Sequence, residues 1–117
     1  MSEAKAAFWG NRFFLINLAG SVLLNAIFFA LIFLKIKPSA DPITLHYNIY
    51  FGPDLIGGWR EAYIRPVFGL CLILANFGAA WYFFGRQKIL SYALAVITTL
   101  LEVFLLIGGL TFILINI

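Results

Sequence analysis

Charge is scarce in this chain: 8 Lys and Arg and 5 Asp and Glu make up 11% of its 117 residues, whereas soluble domains carry about a quarter. That shortage excludes an ordinary soluble fold. A single cysteine, Cys71, leaves no intramolecular disulfide, and it is expected to be a small packing residue. A single histidine, His46, removes the repeated His spacings of common metal centres, and no glycine-rich phosphate cradle is written in the chain. The net charge of +3 comes from basic residues scattered in ones and twos, so nucleic acid is not an expected partner. No cofactor, no metal and no catalytic residue is expected. Ser39 and Thr44, the nucleophiles near His46, have no motif around them.

Apolar sequence is what the chain has in abundance, with 63% hydrophobic and 18% aromatic residues. Three runs, residues 13–34, 67–84 and 89–117, are each long enough to cross a hydrocarbon core, which takes about 20 apolar residues in helix. Backbone groups in lipid must be satisfied within the segment, and these runs lack the alternation of barrel strands, so helices are required. The expected fold is an all-α membrane protein: one membrane domain over 1–117, with spans at about 13–34, 65–84 and 89–114 and a loop over 38–63. The third run is longer than the bilayer core needs and must tilt or protrude. The first is longer than a signal-peptide core, and Pro38-Ser39-Ala40 is a poor cleavage site, so an uncleaved anchor is expected.

Orientation is weakly written. Lys5, Arg12, Arg86 and Lys88 fall on one side and Lys35, Lys37, Arg60 and Arg65 on the other. The short second turn tips the expectation toward a cytoplasmic N-terminus in the cell membrane, with the loop and C-terminus outside the cytoplasm. Phe8, Trp9, Trp59, Tyr63, Trp81, Tyr82 and Tyr92 flank the spans, where amphipathic rings favour the headgroup level.

Three polar residues sit deep in the runs. Glu102 is about 21 Å along its helix from Lys88, too deep to reach water by stretching. Asn25 and Asn76 each lie about 15 Å below one surface, so all three are expected at one depth. On the third span Ser91, Ala95, Thr98, Glu102, Leu105, Gly109, Phe112 and Asn116 follow alternating spacings of four and three, a seam of mostly small or polar residues suited to close helix contact. Asn17, Ser21 and Asn25 form a similar face on the first span, and Gly69, Asn76 and Ala80 on the second. Glu102 is expected to point at neighbouring helices, either as a polar clasp or as a proton relay.

The loop carries the remaining candidates. Residues 43–51 alternate in polarity, which suggests a strand, and Gly52-Pro53-Asp54 reads as the turn of a short β-hairpin. Plain alternation puts His46 and Asn48 on one face, with Asp54 returned toward them. A loop this apolar is expected to lie over the helix ends as a lid.

Pro42, His46, Tyr47, Asn48, Gly52, Asp54, Gly58 and Trp59 together resemble the domain of unknown function found in Sdp-type immunity membrane proteins. The resemblance spans about residues 24–66; Thr44 stands where that family has proline, and Gly58-Trp59 follows Asp54 at a longer spacing. It implies a segment outside the cytoplasm concerned with protection against, or sensing of, an extracellular peptide.

The function expected is therefore that of a small, non-enzymatic, multi-pass membrane protein. Its loop, through His46, Tyr47, Asn48, Asp54 and Trp59, binds a peptide, a lipid or a partner protein. The alternative is a small subunit of a transporter or other membrane complex in which Glu102, with Asn25 and Asn76, is the working group. Beyond the lipid bilayer itself, a homo-oligomer or a larger membrane complex is the expected assembly.

Overall fold

The computed structural model describes residues 3–38, 43–48 and 52–116, with the backbone alone at 3–5, 44–48 and 52–56. Helix α1 (Glu3–Gly10) leads into α2 (Arg12–Lys35) through Asn11, whose Oδ1 accepts the backbone N–H of Phe13 at 2.8 Å and so caps the longer helix. Pro38, which cannot continue a helix, follows the end of α2. Strands β1 (Ile43–Asn48) and β2 (Gly52–Gly57) pair antiparallel, and a 3₁₀ turn (Trp59–Tyr63) then feeds α3 (Ile64–Phe83). Pro66 is tolerated in α3 because it stands in the first turn, where no intrahelical N–H bond is needed. A tight turn, with the N–H groups of Arg86 and Gln87 both donating to the Phe83 carbonyl, reverses the chain into α4 (Lys88–Ile115).

Three of these helices are long and apolar enough to cross a membrane. Only 22%, 28% and 22% of the residues in their most apolar stretches are buried, so most of their Leu, Ile, Val and Phe surface faces outward and needs an apolar environment. The molecule is 54 Å long and 27 by 17 Å across.

Helix α4 packs against both α2 and α3, parallel to the first and antiparallel to the second, as the pairs Ser21–Thr99 and Asn25–Glu102, against Ala80–Ser91 and Gly69–Glu102, show. Its buried residues, Ser91, Ala95, Thr98, Glu102, Gly109, Phe112 and Ile113, reproduce most of the expected seam, with Leu105 and Asn116 at its half-buried margin. Two apolar clusters form the core. One, at the end that carries the N-terminus and the α3–α4 turn, gathers Phe8, Phe14, Ile73, Phe77, Ala80, Phe84 and Ala95. The other, at the ribbon end, gathers Phe28, Ile32, Ile36, Ala62, Phe112 and Ile113, with Ile43, Trp59 and Tyr63 packed against it.

Several expectations need correction. Phe8, expected among the amphipathic rings that flank the spans, faces inward: it is wholly buried, its ring centroid 4.3 Å from that of Phe14 and 5.7 Å from that of Phe84. The short α1, unread in the sequence, folds back to place it there. Tyr92 likewise packs inward, stacked on Phe14 at 4.9 Å and bonded to Asn11 Nδ2 at 3.0 Å. Cys71 is exposed on the outer face of α3 rather than packed.

Gly52, Pro53 and Asp54 belong to β2 rather than to the turn. Both strands of a two-stranded ribbon are edges, so the missing N–H of Pro53, which pairs with Tyr47, is tolerated. The register shifts on either side of His46, which interrupts the plain alternation expected to put His46 and Asn48 on one face.

Candidate functional site

Between the two apolar clusters lies a polar layer, and Glu102 is at its centre. The side chain is 1% exposed, enclosed by α2, α3 and α4. Among the described residues, Asn25 of α2 provides its one hydrogen bond: the amide Nδ2 donates to Oε2 at 3.4 Å and, at 2.9 Å, to the Pro66 carbonyl at the start of α3. An amide nitrogen carries two hydrogens, so both bonds coexist. The three helices are thus tied at one level through two side chains and one backbone carbonyl.

Gly69 makes this approach possible. A Cβ at that position would stand 2.6 Å from Asn25 Nδ2 and 2.9 and 3.1 Å from the two Glu102 oxygens. The bare α3 backbone is the wall against which the amide and the carboxyl rest. Oε1 of Glu102 is enclosed and has no hydrogen-bond partner among the described residues. Thr98, one turn earlier on α4, spends its hydroxyl on the Leu94 carbonyl at 2.7 Å.

A second polar group continues from this layer along the α2–α4 interface toward the N-terminal end. Ser21 Oγ lies 3.1 Å from Thr99 Oγ1, and Thr99 donates to Asn17 Oδ1 at 2.8 Å. Asn17 in turn donates to the Phe13 carbonyl at 2.9 Å. Ser21 is buried, while Thr99 and Asn17 are half-buried. On the opposite interface, Ser91 ties α4 to α3 by donating to the Ala80 carbonyl at 2.6 Å.

Of the three polar residues expected at one depth, the fold brings Asn25 and Glu102 together and leaves Asn76 apart. The α3 residues at the level of Glu102 are Pro66 and Gly69; Asn76 lies seven residues further on, about 10 Å along the helix. It sits half-buried at the margin of the face formed by Gly69, Ile73, Phe77 and Ala80. Gly69 was visible in the sequence as a small residue on that face, but its role required the close packing to be seen.

The ribbon candidates are placed by backbone only. Asp54 falls in the part of β2 opposite His46 and Tyr47, between their partners Leu55 and Pro53. The side chains of His46, Tyr47, Asn48 and Asp54, and all of Ser39, Pro42 and residues 49–51, lie outside the described part of the structure. Trp59 is half-buried against the ribbon-end cluster, its ring 6.4 Å from that of Tyr63, with the Arg60 guanidinium 5.4 Å above it. Among the described residues no three His, Cys, Asp or Glu gather into a group able to hold a metal. No family model, characterised protein or solved structure matches this chain.

Proposed function

We propose that the chain is a small, non-enzymatic, multi-pass membrane protein in which α2, α3 and α4 cross the bilayer and Glu102 is the working group, as a subunit of a transporter or other membrane complex. The observation that carries this reading is the half-satisfied carboxyl: Oε2 is held by Asn25, and Oε1 is enclosed with no hydrogen-bond partner among the described residues. A clasp that served only to hold helices would bond both oxygens, since an unsatisfied buried polar atom costs about 1–3 kcal/mol. An acid kept at this depth at such a cost fits a group that gains and loses a proton. Its enclosure by all three helices argues against a contact point for an outside helix.

The test is Glu102→Gln, which keeps the hydrogen-bonding shape but cannot exchange a proton. The variant inserts and assembles as the parent does, judged by mild-detergent extraction from native membranes, and loses the proton-linked activity of the complex with which it is isolated. Parental behaviour of this variant in both respects would sink the reading.

A second reading is favoured by the docking of the ribbon. Ile43 of β1 packs on the ribbon-end cluster beside Trp59 and Tyr63 of the adjoining 3₁₀ turn, which supports a reading in which the ribbon is a lid on the bundle rather than a free loop. In this reading the lid lies outside the cytoplasm, the N-terminus inside. His46, Tyr47, Asn48 and Asp54 recognise a peptide, lipid or partner protein, in line with the resemblance to the Sdp-type immunity proteins. Replacing His46 and Asn48 with alanine abolishes that binding at unchanged membrane levels, and full binding by the double variant would rule the lid out.

A further inference from the structure

We infer that the Glu102 carboxyl exchanges its proton along the polar seam between α2 and α4, toward the end that carries the N-terminus and the α3–α4 turn, and not toward the ribbon. This rests on the reading of Glu102 as the working group and adds the route by which water reaches it.

An apolar cluster closes each end of the bundle, but along the α2–α4 interface the two directions away from Glu102 differ in kind. Toward the ribbon, seven residues along the same face of α4, the Phe28 ring presses on Gly109 so closely that a Cβ there would overlap it. Phe28, Ile32, Phe112 and Ile113 are all buried behind that contact and all apolar, with the Arg65 guanidinium and the Asn116 amide at the margin of Phe112. Toward the N-terminal end, the next side chains on the α2–α4 interface are Ser21 and Thr99, then Asn17, joined at 3.1 and 2.8 Å. Ser21 is four residues from Asn25 and Thr99 three from Glu102, rises of about 6 and about 4.5 Å along their helices, on the scale that one bridging water spans. Asn17 lies five residues, about 7.5 Å, from Arg12 at the start of α2, so the seam ends near the end of the bundle.

The step itself is a proton transfer. Hydronium delivered along the seam gives its proton to Oε1, one O–H bond forming there as one breaks on the donor, which leaves as neutral water; the reverse transfer empties the site. The groups packed around the carboxyl, Asn25 from α2, Pro66 and Gly69 from α3 and Thr98 on α4, do not titrate. Arg65, next to Pro66, has its guanidinium 4.5 Å from the Phe112 ring, on the ribbon side.

Infrared spectroscopy of the full chain in lipid vesicles tests the route. Of the five side-chain carboxyls, Glu102 is the one within α2, α3 or α4, so a protonated-acid carbonyl band at neutral pH reports it and disappears in Glu102→Gln. On transfer to D2O that band shifts as the proton exchanges. Thr99→Val, alone or with Ser21→Ala, is expected to slow the shift roughly tenfold or more, the factor that about 1.4 kcal/mol of added barrier produces. Thr99→Ser, which keeps the hydroxyl, and Asn76→Leu, off the route, exchange at the parental rate. An unchanged rate in Thr99→Val, or equal slowing by Asn76→Leu, overturns the route while leaving Glu102 as a proton site. Absence of the band in the parent overturns both.

Discussion

Gly69 and Glu102 meet across the α3–α4 interface with no room for a methyl group between them, a Cβ at 69 falling 2.9 and 3.1 Å from the carboxyl oxygens. The polar layer therefore depends on a residue with no side chain. Gly69→Ala is expected to push the Asn25 amide and the Glu102 carboxyl off the α3 backbone and cost about 1–3 kcal/mol, the usual range for overpacking. In an Asn25→Ala background the same change should cost less, because its nearest obstacle is gone. A double-mutant cycle of detergent unfolding measures the coupling, expected to exceed about 0.5 kcal/mol; additivity would contradict the geometry.

Gly109 and Gly108 are neighbours in sequence with opposite prospects. A Cβ at Gly109 would enter the Phe28 ring, whereas at Gly108 it would meet nothing within 4 Å. Gly109→Ala should lower the melting temperature, and Phe28→Leu should relieve part of the loss. Gly108→Ala should be neutral or stabilising by up to about 1 kcal/mol, the difference in helix propensity.

Removing one partner of the polar layer differs from removing the polarity. Asn25→Ala leaves the Glu102 carboxyl enclosed with neither oxygen bonded, and should destabilise the bundle by about 1–3 kcal/mol. Glu102→Leu discards the buried polar group for an apolar one and should cost less than Asn25→Ala, while ending any proton-linked activity. Thermal unfolding of the two variants in one detergent decides the order; a larger loss for Glu102→Leu would mean that the carboxyl is chiefly a structural tie.

Phe8 and Trp9 make the corresponding contrast at the N-terminal end. Phe8 is 0% exposed among Phe14 and Phe84, and Trp9 is 45% exposed. Phe8→Ala should cost about 3–5 kcal/mol, the range for buried Phe truncations, and Trp9→Ala much less. Deleting residues 1–10 should match the Phe8 loss if α1 acts mainly by delivering that ring.

The three long helices, the seam of α4 and the inward placement of Glu102 were all legible from residue order. Helical periodicity and the need to satisfy every backbone group in an apolar run are local constraints, and they act before any packing partner is chosen. Counting residues along each helix also found the partner of Glu102 on α2, Asn25. It failed on α3, because depth counting assumes that helices enter the layer squarely, whereas the relative sliding of α3 and α4 is set by where side chains are missing. Gly69, not Asn76, admits the carboxyl.

Other features depended on the fold from the start. Nothing in Glu3–Gly10 distinguishes an outward-facing Phe8 from a buried one until Asn11 turns the chain into α2 and α1 folds back over Phe14 and Phe84. The Ser21–Thr99–Asn17 links join residues about eighty positions apart, and hydroxyls on two helices become one polar seam only when the helices lie side by side. The sequence by itself determined that this protein has three long apolar helices with one acid midway along the last, because hydrophobic period and length are properties of a single segment. Tertiary structure alone decided that the acid is held by one oxygen, walled by a glycine and plugged on one side by Phe28 against Gly109, because close contacts are properties of pairs of segments.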